Sequence, residues 1–215
     1  MEIKGGIVVV TGGGSGIGKA LCERFSKEGA ALVAVADLNK EAAQAVADSI
    51  GGVAFGVDVR DETQIKAMVD ALVEQHGRID LFCSNAGIIA GDGPQWWATS
   101  ATNATWQAMW EIHVMSHIYA ARACLPHMIE RGQGYFVNTA SAAGLLSQIG
   151  DAAYSTTKHA AVGFAESLAI THGDDGIKVS VLCPQAVDDL PIIAVLRGGR
   201  RPLSHPVDED VRDDA

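Results

Sequence analysis

The sequence predicts an α/β fold, a doubly wound parallel sheet of six strands with helices on both faces. Three observations carry that prediction. Short apolar runs alternate with longer amphipathic ones along nearly the whole chain. The apolar runs, such as "GIVVVT" (6–11) and "ALVAVAD" (31–37), show no polar alternation, so both faces of each strand must be covered. A glycine-rich stretch, "TGGGSGIG" (11–18), follows the first run and opens the first helical segment.

Taken in order, residues 6–11 form a buried strand and residues 16–28 a helix. Residues 31–37 are a second strand, 40–50 a helix, and "VAFGVDV" (53–59) a third strand. "DETQIKAMVDALVEQHG" places Ile65, Met68, Val69, Leu72 and Val73 at three-and-four spacing, the mark of a helix with one buried face, and Gly77 can end it. "IDLFCSNAG" (79–87) is a fourth strand running into a turn. A long helix is predicted over 103–131, a fifth strand over "GYFVNTAS" (134–141), a helix over 152–172 and a sixth strand over "IKVSVLCP" (177–184). The pattern assigns residues 1–186 to one domain and leaves 187–215 as a short divergent tail.

Composition narrows the partners. A net charge of −10 argues against nucleic acid, whose phosphates need a basic stripe. No segment approaches the roughly 20 apolar residues that span a bilayer, and "MEIKGGIVVV" is too short in its apolar run to be a signal peptide. Cys22, Cys83, Cys124 and Cys183 are widely spaced, with no metal-binding pattern, and read as buried thiols in a reducing cytoplasm.

In such a sheet, ligands bind beyond the carboxyl ends of the strands. Gly12 and Gly14 permit a tight turn there, while Gly16 and Gly18 remove side chains where a pyrophosphate or the sheet must come close. Alone the loop reads equally well as a structural turn; with strand before and helix after, it suits a sheet of Rossmann type. Asp37 ends the second strand, where a carboxylate accepts both adenosine ribose hydroxyls and repels a 2′-phosphate. Asn39 can cap the next helix in its place, leaving Asp37 free. No Arg or Lys lies in the glycine loop, so NAD is expected over NADP. Asp58 is placed to hydrogen-bond the adenine amine and Val59 to flank the ring, and Asn85, Ala86 and Gly87 put small groups and backbone beside the adenosine ribose. Each of these strand ends reads equally well as turn chemistry when taken alone.

The last feature is a tyrosine and a lysine four apart in "AAYSTTKHAA", Tyr154 and Lys158, with Ser141 thirteen residues before the tyrosine. An isolated phenol titrates near 10 and is a poor base at neutral pH. An ammonium one helical turn away favours the phenolate, and Asp151 as helix cap would set Tyr154 in the first turn.

Together, "TGGGSGIG", Asp37, "DV" (58–59), "NAG" (85–87), Ser141 and the Tyr154–Lys158 spacing resemble the short-chain dehydrogenase/reductase family over about residues 5–187. The resemblance implies an NAD-dependent oxidoreductase acting on a small to medium apolar secondary alcohol or ketone, with Tyr154 as the acid–base group. Ser141 would hold the substrate oxygen and Lys158 the nicotinamide ribose. The same resemblance puts Ser15, Ile17, Leu38, Pro184 and Val187 among the cofactor-binding positions, and implies at least a homodimer through the helices at 103–131 and 152–172. A catalytically weak NAD-binding scaffold or sensor is the alternative.

Three departures bear on that choice. His113 stands where the family has a proton-relay asparagine, and is either a shuttle or a packed ring. "PQAVDD" puts Gln185 and Asp189 where a glycine and a cofactor-contacting threonine are usual. Residues 185–215 are too few for the family's two lid helices and seventh strand, which predicts an open nicotinamide end, broad and weak substrate binding and no assembly beyond a dimer. Trp96, Trp97, Leu145, Leu146 and Gln148 either wall the substrate pocket or pack on the surface.

Overall fold

All six expected strands form in the computed structural model, which describes residues 2–93 and 95–185. They are β1 (Ile7–Thr11), β2 (Leu32–Asp37), β3 (Val53–Gly56), β4 (Leu81–Ser84), β5 (Gly134–Thr139) and β6 (Ile177–Leu182). Every pairing is parallel, in the order β3-β2-β1-β4-β5-β6. The winding therefore reverses between β1 and β4, and a crevice opens beyond their carboxyl ends.

Side chains along each strand alternate between two apolar layers. Val8 and Val10 of β1 pack with Cys22 of α1 (Gly16–Lys27) and Ala43, Val46 and Ala47 of α2 (Lys40–Ile50). Val9, between them, joins Phe82 and Phe136 against α3 (Glu62–His76), α5 (Ser116–Glu130) and α6 (Ala152–His172). Burying one such side chain fully stabilises the fold by roughly 1.5–3 kcal/mol. A polar residue at Val9, which has no exposure, would break the layer that carries α5 and α6.

Local chemistry sets the helix ends as the sequence suggests. Asn39 accepts from the Ala42 N–H at the start of α2, and Asp61 from Thr63 at the start of α3. Gly51 and Gly77 close those helices in the left-handed conformation. Four strands are shorter than expected by two residues or more: β3 stops at Gly56, β4 runs only from Leu81 to Ser84, β5 stops at Thr139, and β6 stops at Leu182. At the end of β3, Val57 N–H makes a last bond to the Asp37 carbonyl, the final residue of β2, before the chain turns. Cys183, expected to be buried, is consequently half-exposed past the end of β6.

The helix predicted over 103–131 is not continuous. It consists of α4 (Asn103–Trp110), a π-helical turn at Glu111–Met115, and α5. The wide turn rotates the side chains that follow it, and it falls on His113. Such turns inside α-helices are frequent at functional sites. Among the described residues no helix is long and apolar enough to cross a membrane, and no cluster of His, Cys, Asp and Glu could hold a metal ion. Val187, Asp189 and the tail expected over 187–215, with its lid and seventh-strand questions, lie outside the described residues.

Candidate active site

The strand ends predicted to carry function converge at the crevice. Gly12 lies in the left-handed region (φ +65°), and a side chain on it would press 2.9 Å from the Ala86 Cα. A side chain on Gly18 would collide with the Gly12 carbonyl. Gly14 and Gly16 exchange the parts expected of them. Gly16 supplies the second left-handed turn (φ +51°), while Gly14 supplies the close approach, because its Cβ would stand 2.9 Å from that of Ala42. The loop thus hands its chain to α1 with Ser15 at the cap position, where its side chain makes no capping bond. The first-turn N–H groups of α1, around Gly16, Ile17 and Gly18, have no intrahelical partner, as at every helix start. An uncapped, glycine-lined helix start of this kind suits a pyrophosphate.

Asp37 is less free than the sequence suggests. Its Oδ2 accepts from the Gly14 N–H at 3.0 Å and its Oδ1 from the Asn39 N–H at 2.9 Å. Each oxygen retains lone pairs, and the residue is half-exposed beside Leu38, which is fully open. Asp58 is also engaged, by a two-pronged pair to Arg60 with Nη2–Oδ2 at 2.6 Å, which holds its carboxyl below the usual range. Val59 is buried in the core layer.

Asn85 ties three strands together. Its Nδ2 donates to the Thr11 carbonyl at 3.1 Å, and its Oδ1 accepts from Thr139 Oγ1 at 3.2 Å. Thr11 Oγ1 in turn accepts from the N–H groups of Asn85 and Ala86. The side chain is therefore a brace across β1, β4 and β5, which leaves the Ala86–Gly87 backbone facing the crevice. Gly87 sits over the catalytic candidates: a Cβ there would be 3.5 Å from His113 Nε2 and 3.6 Å from Lys158 Nζ.

Ser141 follows β5 and caps a short 3-10 turn at Ala142–Gly144, accepting from the Ala143 N–H at 3.2 Å. Pro184, after β6, accepts the Ala142 N–H at 2.9 Å, so both strand ends are fixed together. Tyr154 lies in the first turn of α6 as expected, with Lys158 Nζ 5.6 Å from its ring centre. The expected electrostatics differ. Burial pushes the Tyr154 phenol above its ordinary value; Ser141 pulls it down and the Asp151 charge pushes it up. The Lys158 ammonium is buried and donates to the Thr139 carbonyl at 3.0 Å, and burial lowers it to about 8.

His113 is wholly buried, and both ring nitrogens are in use. Nε2 accepts from the Ile88 N–H at 3.0 Å, so Nδ1 carries the proton and donates to Thr157 Oγ1 at 2.9 Å. Burial first, then the Lys158 charge, lowers the ring to about 2, which keeps it neutral. Its ring stands perpendicular to that of Tyr154, with the centres 5.5 Å apart.

The start of α6 is not capped by Asp151, whose side chain makes no capping bond. The cap is Asp92, in the segment after β4, whose two carboxylate oxygens accept from the Ala152 N–H at 3.1 and 3.0 Å. Asp92 N–H also bonds the Gly150 carbonyl, and Trp96, held at φ +56°, lies against Gly150. Asp92 and Thr157 were not legible from sequence; a partner 60 residues away leaves no local mark. Gln148 donates to Asp151 Oδ2, while Trp96, Trp97, Leu145, Leu146 and Ile149 expose apolar surface around this junction.

The model for short chain dehydrogenases matches residues 6–194. Meso-2,3-butanediol dehydrogenase of Serratia marcescens is 35% identical over 191 residues, covering 87% of this chain and 73% of that protein. 3β-Hydroxysteroid dehydrogenase 2 of Eggerthella lenta is 34% identical over 190 residues, covering 85% and 71% respectively. A solved short-chain dehydrogenase/reductase from Burkholderia phymatum, in complex with NAD, superposes with a TM-score of 0.80 at 32% identity, over 87% of this chain and 68% of that one.

Proposed function

The chain belongs to the short-chain dehydrogenase family, oxidoreductases acting on CH–OH groups, and from that premise we propose that it moves a hydride between NAD(H) and a small to medium apolar secondary alcohol or its ketone. The observation that carries this reading is the grouping, past the end of β5, of Ser141, which pulls on the Tyr154 phenol, with Tyr154 and Lys158, whose Nζ lies 5.6 Å from the Tyr154 ring centre and bonds the Thr139 carbonyl.

The residues present suit a dinucleotide. Gly12, Gly14, Ser15, Gly16, Ile17 and Gly18 offer a close backbone approach and unpaired N–H groups for the pyrophosphate. Asp37 retains acceptor capacity for the ribose and repels a 2′-phosphate, which supports NAD; the NAD-bound relative supports it too. Leu38, Asp58 and Val59 would border the adenine, and Asn85, Ala86, Gly87 and Pro184 the rest of the cofactor's path. The nicotinamide would accept or return the hydride.

The remaining chemistry belongs to this chain. Tyr154 takes the hydroxyl proton in oxidation and gives it in reduction. Ser141 donates to the substrate oxygen and steadies the charge that develops there. Lys158, with two donor positions beyond its bond to Thr139, holds the nicotinamide ribose. His113 acts as a positioning residue, because its one proton is committed to Thr157 and its one lone pair to Ile88. The apolar rim of Trp96, Trp97, Leu145, Leu146 and Ile149 supports an apolar substrate, and the relatives named for a diol and a steroid span the range of sizes. The buried thiols of Cys22, Cys83 and Cys124 support a reducing cytoplasm, and exposed Trp110 and Ile170 on the α4–α6 helices support at least a homodimer.

A catalytically weak NAD-binding scaffold is the second reading, favoured by the closed hydrogen-bonding of His113. One assay separates them: NADH formation across a panel of cyclic and acyclic secondary alcohols, with NADP in parallel. Turnover with NAD on at least one class is expected. Tight NADH binding with no turnover on any would replace the enzyme by the scaffold.

A further inference from the structure

Ser84, Asn138 and His117 are each at most 2% exposed. Yet the Ser84 hydroxyl, the Asn138 Nδ2 and both ring nitrogens of His117 bond nothing among the described residues. Buried polar groups in folded proteins are almost always paired, with protein or with ordered water.

The three side chains converge on one place. Ser84 and Asn138 are register partners on β4 and β5, neighbouring strands about 5 Å apart. They point to the same face of the sheet. Phe82 and Phe136, two residues before them, lie in the apolar layer covered by α5, whereas Leu81, Cys83, Tyr135 and Val137 lie in the other. His117 opens the buried face of α5, followed by Ala121, Cys124 and Met128 at four-and-three spacing. Met128 lies directly over Gly134 at the start of β5, where any side chain would collide with it. From Met128 back to His117 is about 16 Å of helix, and from Gly134 on to Asn138 is about 13 Å of strand. The crossover between parallel strands runs α5 against β5, so His117 returns to the level of Asn138.

We propose that His117, Ser84 and Asn138 enclose an internal site for at least one water molecule, which ties α5 to β4 and β5. The site lies one residue before the Thr139 carbonyl that anchors Lys158. The donor and acceptor inventory selects water. Asn138 Nδ2 can only donate, and the Ser84 hydroxyl can donate or accept. Burial first, and then the Lys158 charge, lowers the His117 ring to about 3, so it is neutral and offers one donor and one acceptor. A ligand here must accept from the amide and return a proton to the ring or the hydroxyl. Water does both, and about three bonds is its usual number in a protein interior. Its two-bond reach also matches the spacing of the strands. The amide N–H groups would repel a metal cation, and an anion would bring an unpaired charge into the interior.

Two experiments on the full chain test the site. A high-resolution crystal structure should show a water bonded to a His117 ring nitrogen and to Ser84 Oγ or Asn138 Nδ2, and His117→Leu should remove it. Direct bonds among the three side chains, with no water between them, would overturn the proposal. So would an anomalous peak at the site after a bromide soak, which would make the ligand an anion. In solution, denaturant titrations of His117→Leu, Ser84→Ala and the double variant form a cycle. Groups that share a water should be coupled by about threefold to tenfold in the unfolding constant. Effects that simply multiply would overturn the tie between α5 and β4. Should either variant fail to fold, the wild-type map decides alone. Neither readout depends on turnover, so a chain inactive on every alcohol leaves both intact.

Discussion

The two halves of the crevice are built in different ways. On the β1–β3 side, the polar groups are partly or fully exposed: Asp37 holds the Gly14 and Asn39 amides, and Asp58 holds Arg60. On the β4–β6 side, His113, Lys158 and Asp92 are buried and their partners come from distant segments. The first side keeps its polar groups open to water. The second is buried, and there His113 has both ring nitrogens committed. Low local dielectric strengthens every contact there and makes every loss costly. Substitutions on the second side should therefore act on rate and stability, and those on the first on affinity.

The largest effect tests the buried side. Tyr154→Phe should cut turnover about 10²–10⁴-fold with NADH affinity unchanged, because it removes a proton donor and almost no volume. Stopped-flow binding alongside steady-state rates checks this, and turnover within threefold of wild type would remove Tyr154 from the mechanism. His113→Ala comes next. It opens a cavity and strands the Ile88 N–H and the Thr157 hydroxyl, so a stability loss of about 2–4 kcal/mol is expected in denaturant titration. Its pH–rate profile should keep its shape; a displaced limb would restore the ring as a proton shuttle. The smallest effect belongs to the open side. Asp37→Ala should weaken NAD by about 1–2 kcal/mol, narrow its margin over NADP and leave kcat with saturating cofactor near wild type. Equal use of both cofactors by the unaltered chain would show that Asp37 does not discriminate.

The same contrast explains what the sequence could reveal. The glycine loop, Asp37 and the Tyr154–Lys158 spacing were legible because each is a local statement: a turn, a strand end, one helical turn. The strands were legible because both faces of the sheet are covered. The roles of Gly14 and Gly16 were exchanged because spacing does not reveal which glycine takes the positive φ. The π-helical turn was invisible because nothing in Glu111–Met115 sets it apart from the α-helix on either side; what it does, bringing His113 to Thr157, depends on a residue 44 positions away. The direction of the Tyr154 shift was missed because its largest cause, burial of the phenol, leaves no mark in the spacing of Tyr154 and Lys158.

Asp92 has a practical consequence for anyone recombining relatives of this chain. The segment from Ile88 to Ser100 reads as an exchangeable loop, the natural place to graft a new substrate preference. It also carries the carboxylate that caps α6 and the N–H that binds Gly150. A graft that brings the donor's loop without an acceptor at position 92 uncaps the helix bearing Tyr154 and Lys158. Chimaeras crossing over between this loop and α6 should express poorly, whereas those that move both as one cassette should retain a working frame.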